Sequence, residues 1–325
     1  MAAAKSRLRI TRSVVSLIFL GAAVHFVLPH LTTFETASQT LSRVWGYWLF
    51  AALAAQVLSY ISSGGLVSSV VRLSGDRVSP ARGVLITLAS NTVGTLGGGF
   101  IGTTTSSYRW IRRGVSTEAA ALSGWLPPII NNLVLLGVSN WGLLILLAGG
   151  NLQGAVVVTL VVLQLITAAA LIGMAWSIRH QSRIILLTKK APVKFRSAVE
   201  HMFASIQLLS GRRWREPLLF SALNVGFDAG TLWLLFRAVQ HPISISGLLA
   251  GYAIPQLLGK VLFLPGGVGA VEASMVALYA SLGVRHEVGV IVILAYRVIS
   301  FWVPTLLGLM AAPYLEHGSR QREAA

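Results

Sequence analysis

The sequence has no cysteine. That absence excludes disulfides, thiolate metal sites and cysteine nucleophiles, and it leaves the redox compartment open. Charge is scarce as well: 11% of the 325 residues are Asp, Glu, Lys or Arg, against 54% hydrophobic. A soluble domain carries roughly 25% charged residues, so a water-soluble globule is ruled out. Acidic residues are the scarcest class, 10 against 26 Lys and Arg. The seven histidines are scattered at 25, 30, 180, 201, 241, 286 and 317, with no HxxxH or HExxH spacing. No metal site is expected from them. No P-loop is present, so ATP hydrolysis is not expected, and no Ser–His–acid pattern signals a catalytic centre. Gly97–Gly102 formally satisfies GxGxxG. No βαβ unit surrounds it, so it is not a dinucleotide site. No cofactor is expected, and the chain does not read as an enzyme.

What is present is a series of long apolar runs, and a mean hydropathy of +0.72. Several runs exceed the ~20 residues that a spanning helix needs. The spans expected are 13–29, 46–71, 118–148 (kinked at Pro127-Pro128), 153–177, 216–238 and 287–313. The basic, then apolar, N-terminus reads as an uncleaved first helix, because no small-x-small cleavage site follows it. Two further apolar stretches are interrupted. Residues 83–107 contain Gly94, Gly97, Gly98, Gly99 and Gly102, and residues 246–283 contain Leu264-Pro265-Gly266-Gly267-Val268-Gly269. Glycine is costly inside a helix, and irregular backbone at membrane depth survives only inside protein or beside a wet cavity. Both stretches are therefore predicted to be re-entrant. Between 178 and 215, Phe195, Val199, Met202, Phe203, Ile206 and Leu209 recur at helical spacing. That pattern predicts an amphipathic helix on the membrane surface.

The excess positive charge has an ordered distribution. It precedes the first span (Lys5, Arg7, Arg9, Arg12), flanks the first broken stretch (Arg72, Arg77, Arg82, Arg109, Arg112, Arg113), fills 178–215 and closes the chain (Arg320, Arg322). Only Arg43, Arg237, Lys260, Arg285 and Arg297 fall elsewhere. With six spans these groups share one face, which the positive-inside rule makes cytoplasmic, with both termini there. The charge then calls for no nucleic-acid partner. The halves also match: Gly114-Val115-Ser116-Thr117-Glu118 parallels Gly283-Val284-Arg285-His286-Glu287, each after a Gly-Gly pair and each opening a long span. The expected fold is an all-α polytopic membrane protein, with about six spanning helices and two re-entrant segments entering from opposite faces in an inverted repeat. It is read as a single membrane domain over 1–325, with repeat one at about 46–148, the connection at 178–215 and repeat two at about 216–313. Inverted repeats with broken helices are typical of secondary transporters, whose sites lie near the midplane.

Four ionisable residues fall inside apolar spans: Asp228, Lys260, Glu272 and Arg297. Each is expensive in lipid and should face a partner in the protein interior. The pairs expected are Glu272 with Arg297 and Asp228 with Lys260. Intramembrane charges default to function; the other reading is that the pairs fix helix packing. Gly266 and Gly267 would expose backbone N–H groups to a headgroup at a helix N-terminus. Glu272 could cap those groups instead. Arg109, Arg112 and Arg113 stand beside Tyr108 and Trp110 at a membrane edge. They read as topology anchors, or as phosphate ligands with Arg109 foremost. Gly98–Gly102 and Gly247–Gly251 fit GxxxG packing, and most of Asn91, Asn131, Asn132 and Asn224 are expected to bond between helices.

The stretch Leu264–Glu272, then Gly283-Val284, Tyr296-Arg297, Pro304 and Gly308 resembles the lysylphosphatidylglycerol synthase transmembrane region, also called the flippase-like domain family. Asn91, the Gly97–Gly99 run, Tyr108 and Arg112-Arg113-Gly114 look like its first-half motif, although Gly97 stands near where many relatives have proline. Asp228 sits where that family often has an acid in a span. The resemblance implies that the chain moves or handles a headgroup lipid across the inner membrane. The chain ends shortly after its last span, so the soluble synthase domain is expected to be absent, and lysyl transfer is not implied. Arg297, Glu272, Gly266, Gly267, Asp228 and Arg109 are the candidate substrate contacts. The partners expected are membrane lipids. In the alternative reading, a non-transporting accessory protein presents a lipid or glycolipid to a lipid-modifying or glycosyl transferase. A membrane-embedded transferase is a third reading, disfavoured because no nucleophile or metal set is visible.

Overall fold

The structure is a computed structural model that describes residues 45–148, 154–187, 200, 214–261 and 267–323. The expected span at 13–29, the apolar stripe of the surface helix, and Gly266 lie outside the described residues, as does the side chain of Lys260. Among the described residues the protein is all-helical. The helices are α1 (Trp45–Leu73), α2 (Pro80–Val93), α3 (Gly99–Ile111), α4 (Thr117–Ala148), α5 (Gly154–Arg179), α6 (Gln181–Leu187), α7 (Arg215–Ala238), α8 (Ile245–Val261), α9 (Ala270–Ser281), α10 (His286–Arg297) and α11 (Val303–Glu323). A π-helical turn, Gly94–Gly98, joins α2 to α3, and a second, Val298–Trp302, joins α10 to α11.

Four stretches are long and apolar enough to cross a membrane: Gly46–Leu73, Thr117–Ile145, Arg215–Ala238 and His286–Glu316. Apolar side chains such as Tyr47, Phe50, Trp141, Leu144, Leu306 and Met310 are exposed along them. That is the surface a helix shows to lipid, since without water no hydrophobic penalty attaches to it. Pro127 and Pro128 lie inside α4 without ending it. A further apolar helix, α5, runs 26 residues over the expected span at 153–177, whereas α2 and α8 are short. The 14 residues of α2 rise only ~21 Å at 1.5 Å per residue, and the 17 of α8 rise ~25 Å. Neither spans a ~30 Å hydrocarbon core.

These short helices fold into two hairpins. In the first, α2 and α3 run antiparallel: Arg82 Nη2 donates to Trp110 O at 3.3 Å near the mouth. Gly94 lies against Thr103 at the tip, where an added methyl would fall 2.0 Å from the Thr103 hydroxyl. Gly99 makes the turn at φ 50°, ψ −146°, a region glycine enters without steric cost. In the second, α8 and α9 run antiparallel, with Gly251 packed under the Tyr279 ring and Gly259 against Val271.

The direction of each hairpin follows from the pairing of α1 and α7. Arg72 is ion-paired with Glu216, Asn224 Nδ2 donates to Ser59 O at 2.9 Å, and Thr231 Oγ1 donates to Ala52 O at 3.4 Å. The two spans are therefore antiparallel, with Leu73 beside Arg215 at one end and Trp45 beside Ala238 at the other. The first hairpin opens at the Leu73 end and the second at the Ala238 end. Each hairpin is also clasped by the span that follows the other one. Gly142 of α4 meets Ala250 of α8, and Gly308 of α11 meets Leu88 of α2 so closely that an added methyl would fall 2.6 Å and 2.4 Å from backbone atoms. Thr92 Oγ1 donates to Thr305 O at 3.1 Å in the second clasp. Small residues let helix backbones approach where lipid supplies no hydrophobic drive. Two of the four asparagines bond between helices: Asn224 binds Ser59 and Asn131 accepts from Ser221, while Asn91 is exposed.

Candidate functional site

The second hairpin carries charge to its tip. Gly267 and Gly269 turn the chain at φ 66° and 86°, and α9 begins at Ala270. Glu272 lies in the first turn of α9. Its Oε2 accepts the Gly269 N–H at 2.7 Å, so it caps the helix. Its Oε1 accepts Arg297 Nε at 2.5 Å. The pairing expected from the sequence and the capping that it set against a headgroup contact are both made, one by each oxygen. The Glu272 and Arg297 side chains are 5% and 4% exposed. Burying two charges is costly, and geometry of this quality is what offsets the cost. The Arg297 guanidinium also lies 4.0 Å from the centre of the Phe301 ring. Arg297 is the last residue of α10, immediately before the π turn at Val298–Trp302. π-bulges are rare and are found frequently at functional sites.

Beside this pair lies a second polar cluster. Asp228, midway along α7, accepts the Tyr252 hydroxyl at 2.7 Å and the Tyr296 hydroxyl at 2.8 Å, both on Oδ2. Gln256 Nε2 donates to the Tyr296 hydroxyl at 3.0 Å, and Tyr60 donates to Ser300 O at 3.2 Å. Gln56 is buried and its Oε1 has no hydrogen-bond partner among the described residues. Neighbours Tyr296 and Arg297 link the two clusters. Together they draw on α1, α7, α8, α9 and α10, so the site lies where both halves of the molecule meet. It brings a guanidinium, two carboxyl groups and several hydroxyls together within an apolar surround.

Of the candidates from sequence, Glu272, Arg297 and Gly267 come together at the hairpin tip, and Asp228 lies in the adjoining cluster. Asp228 is met by tyrosines, while the side chain of its expected partner Lys260 is outside the described residues. Arg109 stands apart. It sits near the mouth of the first hairpin, where it faces Glu316 at 3.9 Å, and its neighbour Arg113 donates to Leu315 O at 3.2 Å. Tyr252, Gln256, Tyr60 and Gln56 were not singled out from sequence. One signal was present: Tyr252 and Gln256 are one turn apart on a largely apolar helix, and so share a face.

A helical membrane protein with two opposed re-entrant hairpins and a buried ion pair at one tip is thus the class defined by fold and site. Residues 10–308 match the family model described as the lysylphosphatidylglycerol synthase TM region, and the chain belongs to that family. It is similar to a UPF0104 membrane protein of Methanocaldococcus jannaschii, 27% identical over 121 residues, which is 36% of each chain. It is 28% identical over 127 residues to the inner membrane protein YbhN of Escherichia coli, covering 38% of this chain and 39% of that one. Over 95 residues it is 32% identical to the phosphatidylglycerol lysyltransferase of Staphylococcus haemolyticus, which is 29% of this chain and 11% of the relative. The matched segments thus cover well under half of each relative.

Proposed function

We propose that this protein moves or handles a headgroup lipid across the inner membrane, without itself catalysing a covalent step. One observation carries the reading: a buried Glu272–Arg297 pair sits at the tip of a hairpin too short to cross the bilayer. A charge pair at that depth has a function by default, and a re-entrant tip is where transporters present such groups. Repeat one, about 46–148, and repeat two, about 216–313, are the two units that would rock against each other. The headgroup would be met by Arg297, Glu272 and the backbone at Gly266 and Gly267, with Asp228 tuning the charge nearby. The Arg-rich end, with Arg72, Arg77, Arg109, Arg112 and Arg113, would face the cytoplasm, along with both termini.

The test is a leaflet-accessibility assay in liposomes, with wild type set against Arg297→Ala. Movement of a fluorescent phospholipid, polyprenyl phosphate or glycolipid that the variant abolishes is the expected result. No movement of any of the three, with stable co-purification of a transferase, would favour the accessory reading. Product formation by the purified protein alone would favour a transferase. Orientation has its own test on a chain with no native cysteine: Glu118→Cys and Glu287→Cys, at the starts of the two equivalent spans, should react with an impermeant thiol reagent from opposite faces.

A further inference from the structure

A second polar feature lies away from the buried pair, at the Arg-rich end. The end of α1, the turn after it and the start of α7 line an open cavity of about 510 Å³, with Ser69, Arg72, Asp76, Arg77, Arg215 and Glu216 among its residues. Three arginines face two acids there, and both acids are already engaged. Glu216 is paired with Arg72. Asp76 accepts the Ser116 N–H at 3.0 Å and the Ser116 hydroxyl at 2.6 Å, tying the turn to the start of α4. Arg77 and Arg215 are exposed, and neither side chain makes an ion pair or hydrogen bond among the described residues.

We propose that this cavity binds a phosphate group, with Arg77 and Arg215 as its ligands and Arg72 as a third donor held in place by Glu216. Guanidinium forks match phosphate oxygens with paired, charge-assisted hydrogen bonds. Basic pockets between spans at a membrane surface take anionic headgroups. The cavity is built from both halves of the molecule, since α1 and α7 both contribute to its lining. A bound phosphate therefore joins the halves at their Arg-rich end. This site stands on its own geometry and does not depend on transport.

The experiment uses the full chain in a non-ionic detergent. Dioctanoyl phosphatidylglycerol, dioctanoyl phosphatidylcholine and inorganic phosphate are titrated separately, and binding is followed by thermal shift and native mass spectrometry. Wild type is compared with the double variant Arg77→Gln/Arg215→Gln, and with Arg285→Gln as a control from the opposite end. The phosphatidylglycerol affinity should fall by about tenfold in the double variant, stay unchanged in the control, and exceed that for the zwitterionic lipid. Loss confined to phosphatidylglycerol identifies a lipid headgroup; an equal loss for inorganic phosphate identifies a free anion. Wild-type binding of all three probes by the double variant, or an equal loss in Arg285→Gln, would overturn the proposal.

Discussion

The two re-entrant hairpins share a backbone device and differ in what holds the tip. Each is a pair of short antiparallel helices turned at glycines of positive φ, Gly99 in the first and Gly267 and Gly269 in the second. Each is clasped by the span that follows the other. At the first tip the side-chain bonds come from hydroxyls, Thr92 to Thr305 O and Thr103 to Gly99 O. Three more hydroxyls of that hairpin, on Thr87, Ser90 and Thr104, are buried without a protein partner among the described residues. At the second tip a carboxylate and a guanidinium make the lock. A hydroxyl left unpaired costs a modest amount, whereas a buried charge left unpaired costs several times more. The same fold element can thus be a neutral spacer in one half and the charged centre of the other.

The two tips differ most at the ion pair, and the largest effect is expected there. Arg297→Met leaves Glu272 buried without its guanidinium and should cost about 3–5 kcal/mol, read as a lowered unfolding temperature in detergent. Adding Glu272→Gln to that variant should restore most of the stability but no lipid movement. Recovery of both would make the pair a packing device alone. Next come the clasps. Gly308→Leu and Gly142→Leu each force a side chain into a backbone contact and should cost about 1–3 kcal/mol; a large difference between them would show that the two clasps are not equivalent. Smaller still, Tyr296→Phe removes one of two hydroxyls from Asp228, and Thr92→Val removes one hydroxyl from the first tip. Each should cost about 1 kcal/mol by unfolding, but only Tyr296→Phe should slow lipid movement. The smallest effect is expected at Arg109→Ala. Its pairing with Glu316 is long and both groups are substantially exposed, so less than about 1 kcal/mol is at stake.

Much of this architecture was legible in residue order. Length and apolarity marked the spans, and the glycine clusters marked the breaks, because each follows from a local cost: unsatisfied backbone in lipid, or glycine in a helix. The Glu272–Arg297 pair was legible because so few charges occupy apolar spans and each needs a partner. The tyrosine partners of Asp228 were not, since any hydroxyl in a neighbouring span could have supplied those bonds. Arg109 illustrates another limit. Its place beside the glycine run suggested the site, yet α3 returns antiparallel and carries it back towards the hairpin mouth.

Residue order was enough to mark a segment as spanning or broken, and to mark the side chains too costly to leave in lipid. Those are properties of a segment and its solvent. Tertiary structure alone decided which segments face one another: the antiparallel match of α1 with α7, the reciprocal clasps at Gly142 and Gly308, and the meeting of five helices around Asp228 and Arg297. Such contacts join residues up to 240 positions apart, and their energies depend on interlocking shape, which no single segment encodes.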